Sequence, residues 1–193
     1  MDGSNGRETR INSFALVSYL SGPLADLLDE IRHDFAPDSR AKAHLTILPP
    51  RPLPSFGSPT AVEEALQQLQ ARLQDFAPFD VELGDIEVFP DTHVIYVSIK
   101  SGFAELERMH QALNAGCLTC QEPHTYHPHV TVVQELAPAD VLNAAQFSRW
   151  RWSEFKHSRT VRVDRLTFVQ NTIQNSWTDL AMLDLGSPVI RHA

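Results

Sequence analysis

Two short segments of this chain have the residue types for acid–base chemistry. His44-Leu45-Thr46-Ile47 and His129-Val130-Thr131-Val132 share the order histidine, apolar, threonine, apolar. Of the nine histidines, only these two are followed two residues later by threonine. Side chains alternate along a strand, so His44 and Thr46 would share one face while Leu45 and Ile47 share the other. Imidazole titrates near neutrality and can both take and give a proton. A phosphodiester between two such pairs would meet one neutral imidazole as base and one imidazolium as acid. Two threonine hydroxyls would then be available for the non-bridging oxygens. In-line displacement needs the acid and base on opposite sides of phosphorus, which two symmetry-related lobes facing across a cleft would supply. This chemistry calls for no metal and no cofactor. A single copy of so short a pattern is weak evidence, because it also arises on any strand with a polar face.

The elements that must hold the motifs recur in the same order. Phe14 to Leu20 reads as a buried strand. Leu24, Leu27, Leu28, Ile31 and Phe35 form a helical stripe, stopped by Pro37. The His44 strand follows, and Pro49-Pro50 is expected to end it. Thr60 to Glu63 has the form of a capping box before the stripe Val62, Leu66, Leu69, Leu73, Phe76. Phe79 to Phe89 alternates, with a phase slip at Gly84-Asp85 that predicts a bulge. The second half runs strand Val94 to Ile99, helix stripe Phe103 to Leu113, and motif strand His129 to Val133. A helix opening at Pro138 follows, then a strand Val161 to Val169 with the same slip. Val161, Val163, Leu166 and Phe168 match Val81, Leu83, Ile86 and Val88 without a gap. An extra strand, Trp177 to Leu185, closes the chain. This degenerate duplication predicts an α+β fold with two sheet-bearing lobes. The expected domain is 12–187, with lobes of about 12–91 and 92–187, between loose tails at 1–11 and 188–193.

Composition bounds the function. A net charge of -8 argues against a protein that coats nucleic acid through a broad basic surface. A pocket for a single phosphate stays open. No apolar run is long enough for a membrane span, Met1 to Arg10 lacks a signal-peptide core, and two cysteines give no disulfide framework. A cytoplasmic location is the expectation; the oligomeric state is left open.

The paired His-x-Thr motifs resemble those of the two-histidine (2H) phosphoesterase superfamily, which includes LigT-type 2′,5′ RNA ligases and cyclic phosphodiesterases. The resemblance spans about Phe14 to Leu185 and is nearest to the YjcG-like branch. Pro128-His129-Val130-Thr131-Val132 with Gln134, and Asn175-Ser176-Trp177-Thr178, carry that similarity. It implies a bilobal, pseudo-two-fold α+β fold with two antiparallel sheets flanked by helices around a central cleft. It also implies catalytic roles for His44 and His129, phosphate contacts from Thr46 and Thr131, and nucleotide or RNA-end substrates bearing a 2′,3′-cyclic phosphate or a 2′,5′ linkage. Many LigT-type members carry an arginine shortly after the second motif. Gln134 stands there in this chain, so the resemblance alone does not assign the substrate of the LigT-type enzymes.

Strand parity adds Lys42 beside His44 and His127 beside His129 as substrate contacts. Phe89, Tyr96, Tyr126 and Trp177 could stack a nucleobase, with Tyr126 first because it adjoins the motif. Arg51 is expected at the surface. Two other readings remain. One is a non-catalytic nucleotide- or RNA-end-binding protein using the same cleft. The other is a zinc site from Cys117, Cys120, His124 and His127, disfavoured by its ligand spacing.

Overall fold

The computed structural model describes residues 9–186. The C-terminal tail expected at 188–193 lies outside the described residues, as does most of the 1–11 tail. The first strand already begins at Arg10. Eight strands and four helices follow one another: β1 (Arg10–Tyr19), α1 (Gly22–Phe35), β2 (His44–Arg51), α2 (Ala61–Leu73), β3 (Phe79–Val88), β4 (Ile95–Ser101), α3 (Phe103–Leu113), β5 (Val130–Val133), α4 (Val141–Glu154), β6 (Thr160–Val163), β7 (Arg165–Thr172) and β8 (Trp177–Asp184). No helix among the described residues is long and apolar enough to cross a membrane.

The strands form one curled antiparallel sheet in the order β6-β3-β4-β5-β2-β1-β7-β8. Two four-stranded halves meet where Leu45 of β2 pairs with Val130 of β5. The motif strands are therefore neighbours in one sheet rather than walls opposed across a gap. The halves of the sheet are also not the halves of the chain. β3 lies with β4, β5 and β6, while β7 and β8 lie with β1 and β2.

The phase slips explain the exchange. Up to Glu82, β3 pairs with β6; from Glu82 onward it pairs with β4, with a register shift between Leu83 and Ile86. The equivalent strand breaks at Asp164. Before it β6 pairs with β3, and after it β7 pairs with β1 and β8. Val81 and Val161, equivalent in the sequence repeat, are direct partners. That is what a two-fold relation between the halves requires.

Helices cross the same divide. α1 packs against β5, and α3 against β2. The apolar faces of both motif strands close this core. Leu45, Ile47, Val130 and Val132 are each no more than 1% exposed. Burying such side chains is the main stabilising term.

Three local expectations change. β2 continues through Pro49-Pro50 to Arg51, because the ladder shifts register there and Arg51 pairs with Phe14. Thr60 makes no capping bond to the helix backbone; its hydroxyl donates to the Glu64 carboxylate instead. α4 starts at Val141, so Pro138 precedes the helix and does not lie in its first turn.

Replacing Leu45 by Ala should cost about 2–5 kcal/mol of folding stability, the range for a buried leucine. Chemical denaturation would show this as a lower midpoint with an unchanged slope.

Candidate active site

The Leu45–Val130 pairing sets the site. In an antiparallel register it places His44 opposite Thr131 and Thr46 opposite His129, all four on one face. Directly opposed Cβ atoms lie about 4.5–5.5 Å apart and diagonal ones about 7–8 Å, so the two histidines take the diagonal. All four side chains are half-buried.

Each imidazole is braced in the same way. Nδ1 of His44 donates to the Lys42 carbonyl at 2.7 Å, and Nδ1 of His129 donates to the His127 carbonyl at 2.7 Å. A carbonyl can only accept, so in the neutral ring the lone pair is on Nε2. Burial holds both imidazoles below the ordinary histidine value, opposed by these backbone bonds. A further downward push on His44 comes from the Arg32 guanidinium, and on His129 from His127 and His44. The charge of His44 thus bears on His129.

The neighbours differ between the halves. Beside His44 stands Tyr19, edge-on with ring centroids 6.3 Å apart, its hydroxyl donating to Asp179 at 2.7 Å. The Lys42 ammonium lies 5.6 Å from the Tyr19 ring. Beside His129 stand Phe89 at 5.1 Å and Tyr96 at 5.4 Å, both edge-on. Those two rings stack on each other at 4.0 Å, and Tyr96 donates to Glu87 at 3.0 Å. Burial and the Glu87 carboxylate push the Tyr96 phenol up to about 12. The His127 ring is 6.4 Å from His129 and lies edge-on to Phe89. Lys42 and His127 are both exposed at the border, as strand parity suggests.

Tyr126 is not a cleft residue. Its ring stacks on His110 at 3.9 Å, and its hydroxyl donates to the Thr46 carbonyl at 2.8 Å. It supports the motif strand from the helix side. Phe89, half-buried over Tyr96, takes the position expected of Tyr126. Trp177 packs on a small apolar cluster of Ala15, Val17 and Val169 next to Tyr19.

Arg51 is buried, contrary to its expected surface place. It donates to Asn114 Oδ1 and the Leu118 carbonyl at 2.9 Å each, and pairs with Glu122. Asn114 in turn holds both the N–H and the carbonyl of Cys120. The Cys117–Cys120 loop is thus fastened by an arginine and an amide. Among the described residues no three His, Cys, Asp or Glu side chains are grouped to hold a metal. Cys117, Cys120, His124 and His127 form no such group.

Sequence reasoning missed Arg32, which is 6% exposed. It donates to the Ala41 carbonyl at 2.7 Å and the Thr131 carbonyl at 2.8 Å, joining the approach to β2 with β5. His110 of α3 makes the reciprocal link, its Nδ1 donating to the Ile47 carbonyl at 2.8 Å. Arg32 lies four residues after Leu28 on the apolar face of α1. A charge at such a position was the available signal.

Comparison with known proteins converges on one family. The model of the 2′-5′ RNA ligase superfamily matches residues 20–173. A Bacillus cytotoxicus protein, named as a candidate phosphoesterase, is 25% identical over 177 residues, covering 89% of this chain and 95% of its own length. The crystal structure of E. coli LigT complexed with ATP has a TM-score of 0.59 at 16% identity, covering 92% of this chain and 99% of LigT. The LigT complex with 3′-AMP gives the same TM-score at 14% identity, covering 92% of this chain and 98% of LigT. These likenesses to LigT show the fold.

Replacing Tyr126 by Phe removes the bond to the Thr46 carbonyl and leaves the ring stack. Stability should fall by about 1 kcal/mol. A thermal melt of the variant against the parent protein would show it.

Proposed function

We propose, from the fact that this chain belongs to the 2′-5′ RNA ligase superfamily, that it is a two-histidine phosphoesterase acting on 2′,3′-cyclic phosphates or 2′,5′-linked nucleotide or RNA ends. The observation that carries this reading is the shared face of His44, Thr46, His129 and Thr131, set by the Leu45–Val130 pair. Both histidines present an unprotonated Nε2 when neutral, and each can take or hold a proton there. Nucleotide complexes of LigT, with ATP and with 3′-AMP, agree with a nucleotide-sized substrate.

For a 2′,3′-cyclic phosphate the step balances as follows. One Nε2 takes a proton from water as the water oxygen bonds to phosphorus. The bond from phosphorus to one ribose oxygen breaks, and the other histidine, entering as imidazolium, gives its proton to that oxygen. The Thr46 and Thr131 hydroxyls donate to the non-bridging oxygens, where charge accumulates. The products are a phosphate monoester with a free ribose hydroxyl and a pair of histidines with their proton exchanged. The reverse direction forms a bond by the same groups.

Lys42 and His127 border this face with a cation and a second imidazole, and both suit substrate contact. Phe89 offers its ring beside His129 to a base. We also take 12–187 as a single unit, a reading supported by the core that spans both sheet halves.

His44→Ala and His129→Ala should each lower kcat by about 10²–10⁴-fold, the usual worth of a positioned acid or base. The assay is a screen of 2′,3′-cyclic nucleotides, 2′,5′ and 3′,5′ dinucleotides and cyclic-phosphate RNA ends, with the double variant as blank. Undiminished turnover by His129→Ala would rule the mechanism out. Activity should survive EDTA.

The pH profile follows from the lowered imidazole values. At low pH the base is protonated, and at high pH the acid loses its proton. Both groups sit below the ordinary histidine value of about 6.5 in the free protein. The bell in kcat/KM should therefore centre on the acid side of that value. A bound phosphate anion favours the charged rings, so the kcat profile should lie further toward alkali. Initial rates across pH at low and saturating substrate would check both.

A further inference from the structure

A cavity of about 330 Å³ lies away from the face that carries His44 and His129. Asp85 and Ile86 of β3, Arg149, Trp152 and Ser153 of α4, and Arg159 line it. It sits at the bulge of β3, where the β3–β4 ladder shifts register. There α4 supplies two donors to carbonyls near the shifted ladder: Trp152 Nε1 to Gly84 at 3.0 Å and Arg149 Nε to Ile86 at 3.1 Å. Arg159 donates through one terminal nitrogen to the Trp152 carbonyl at the end of α4, and its guanidinium lies 4.4 Å from the Trp152 ring centroid.

Each guanidinium is thus held by a bond that leaves other donors unspent. An arginine carries five N–H groups in a fixed fork. Neither Arg149 nor Arg159 has a carboxylate partner among the described residues, whereas nearby Arg151 pairs with Glu30 and Asp34. Two unpaired guanidinium groups lining one cavity stand out in a chain of net charge -8. Paired planar forks suit the oxygens of a phosphate. Asp85 lines the same cavity, leaving one net positive charge. Its carboxylate can accept from a hydroxyl of a sugar that carries the phosphate. The volume falls at the lower end of the range for small-molecule sites.

We propose that this cavity binds a phosphate monoester of sugar size, with Arg149 and Arg159 on the phosphate and Asp85 on a hydroxyl. The site is separate from His44 and His129, so its occupancy does not depend on the reaction assigned to them.

The test uses the full chain carrying His44→Ala and His129→Ala, which removes both imidazoles from the catalytic face. Ribose 5-phosphate and, separately, inorganic phosphate are titrated while the Trp152 indole N–H is followed by nuclear magnetic resonance. A saturable shift with ribose 5-phosphate is expected. Arg149→Gln should weaken it at least tenfold, and Arg149→Gln with Arg159→Gln should abolish it. Asp85→Asn should weaken ribose 5-phosphate more than inorganic phosphate. An unmoved Trp152 signal, or a shift that persists at full affinity in Arg149→Gln, would overturn the proposal. The single variant alters an exposed side chain, so the test stands even if the double variant fails to fold.

Discussion

One pair of backbone partners, Leu45 and Val130, sits at the junction of the sheet halves. Both side chains point into the core, where each is no more than 1% exposed. Their neighbours on either side must then point the other way, which puts two histidines and two threonines on a common face. A one-residue slip would invert that face and bury the imidazoles. Core packing and site geometry are therefore one constraint: the apolar positions hold the register that the polar positions need.

The junction is short, and the helices reinforce it. Arg32 of α1 binds carbonyls on the approach to β2 and on β5, while His110 of α3 binds a carbonyl on β2. Tyr126 adds a bond to Thr46 from the far side of the same strand and stacks on His110. Each half of the chain thus places a side chain on the other half's motif strand. β3 and β7 make the same kind of exchange within the sheet. Separating the halves would expose buried carbonyls as well as apolar surface, and unpaired buried polar groups are costly. This accounts for a single core running through both halves.

Much of this was legible in the order of residues. The motif parity, the helical stripes and the two phase slips each follow from side-chain periodicity, which is local. Gly84-Asp85 marks a register shift in the β3–β4 ladder, and Asp164 marks the break between β6 and β7. Which strands pair with which was not legible, because pairing is decided by tertiary packing. Arg51 shows the same limit: the Asn114 and Glu122 side chains it binds lie 63 and 71 residues away. Tyr126 and Phe89 were both readable as aromatic residues near the site. Only the positions of His110 and Tyr96 decide which of them faces the cleft.

The duplicated parts of the site are nearly equivalent: a histidine, a threonine two residues on, and a carbonyl two residues back. In the proposed mechanism, equivalent parts cannot by themselves choose which histidine begins as base. That choice falls to the surroundings that the duplication does not share. Arg32 presses on His44 from beneath, and Tyr19 with Asp179 stands beside it. His129 has aromatic neighbours in Phe89 and Tyr96 and a second imidazole in His127. A flat ring bound against Phe89 would fix the substrate's base at the His129 end. The orientation of the ribose, and with it the oxygen that leaves, would follow from that one contact. On that proposal, chemical polarity in a pseudo-symmetric site is a property of substrate docking, imposed on two imidazoles that each carry their free lone pair on Nε2.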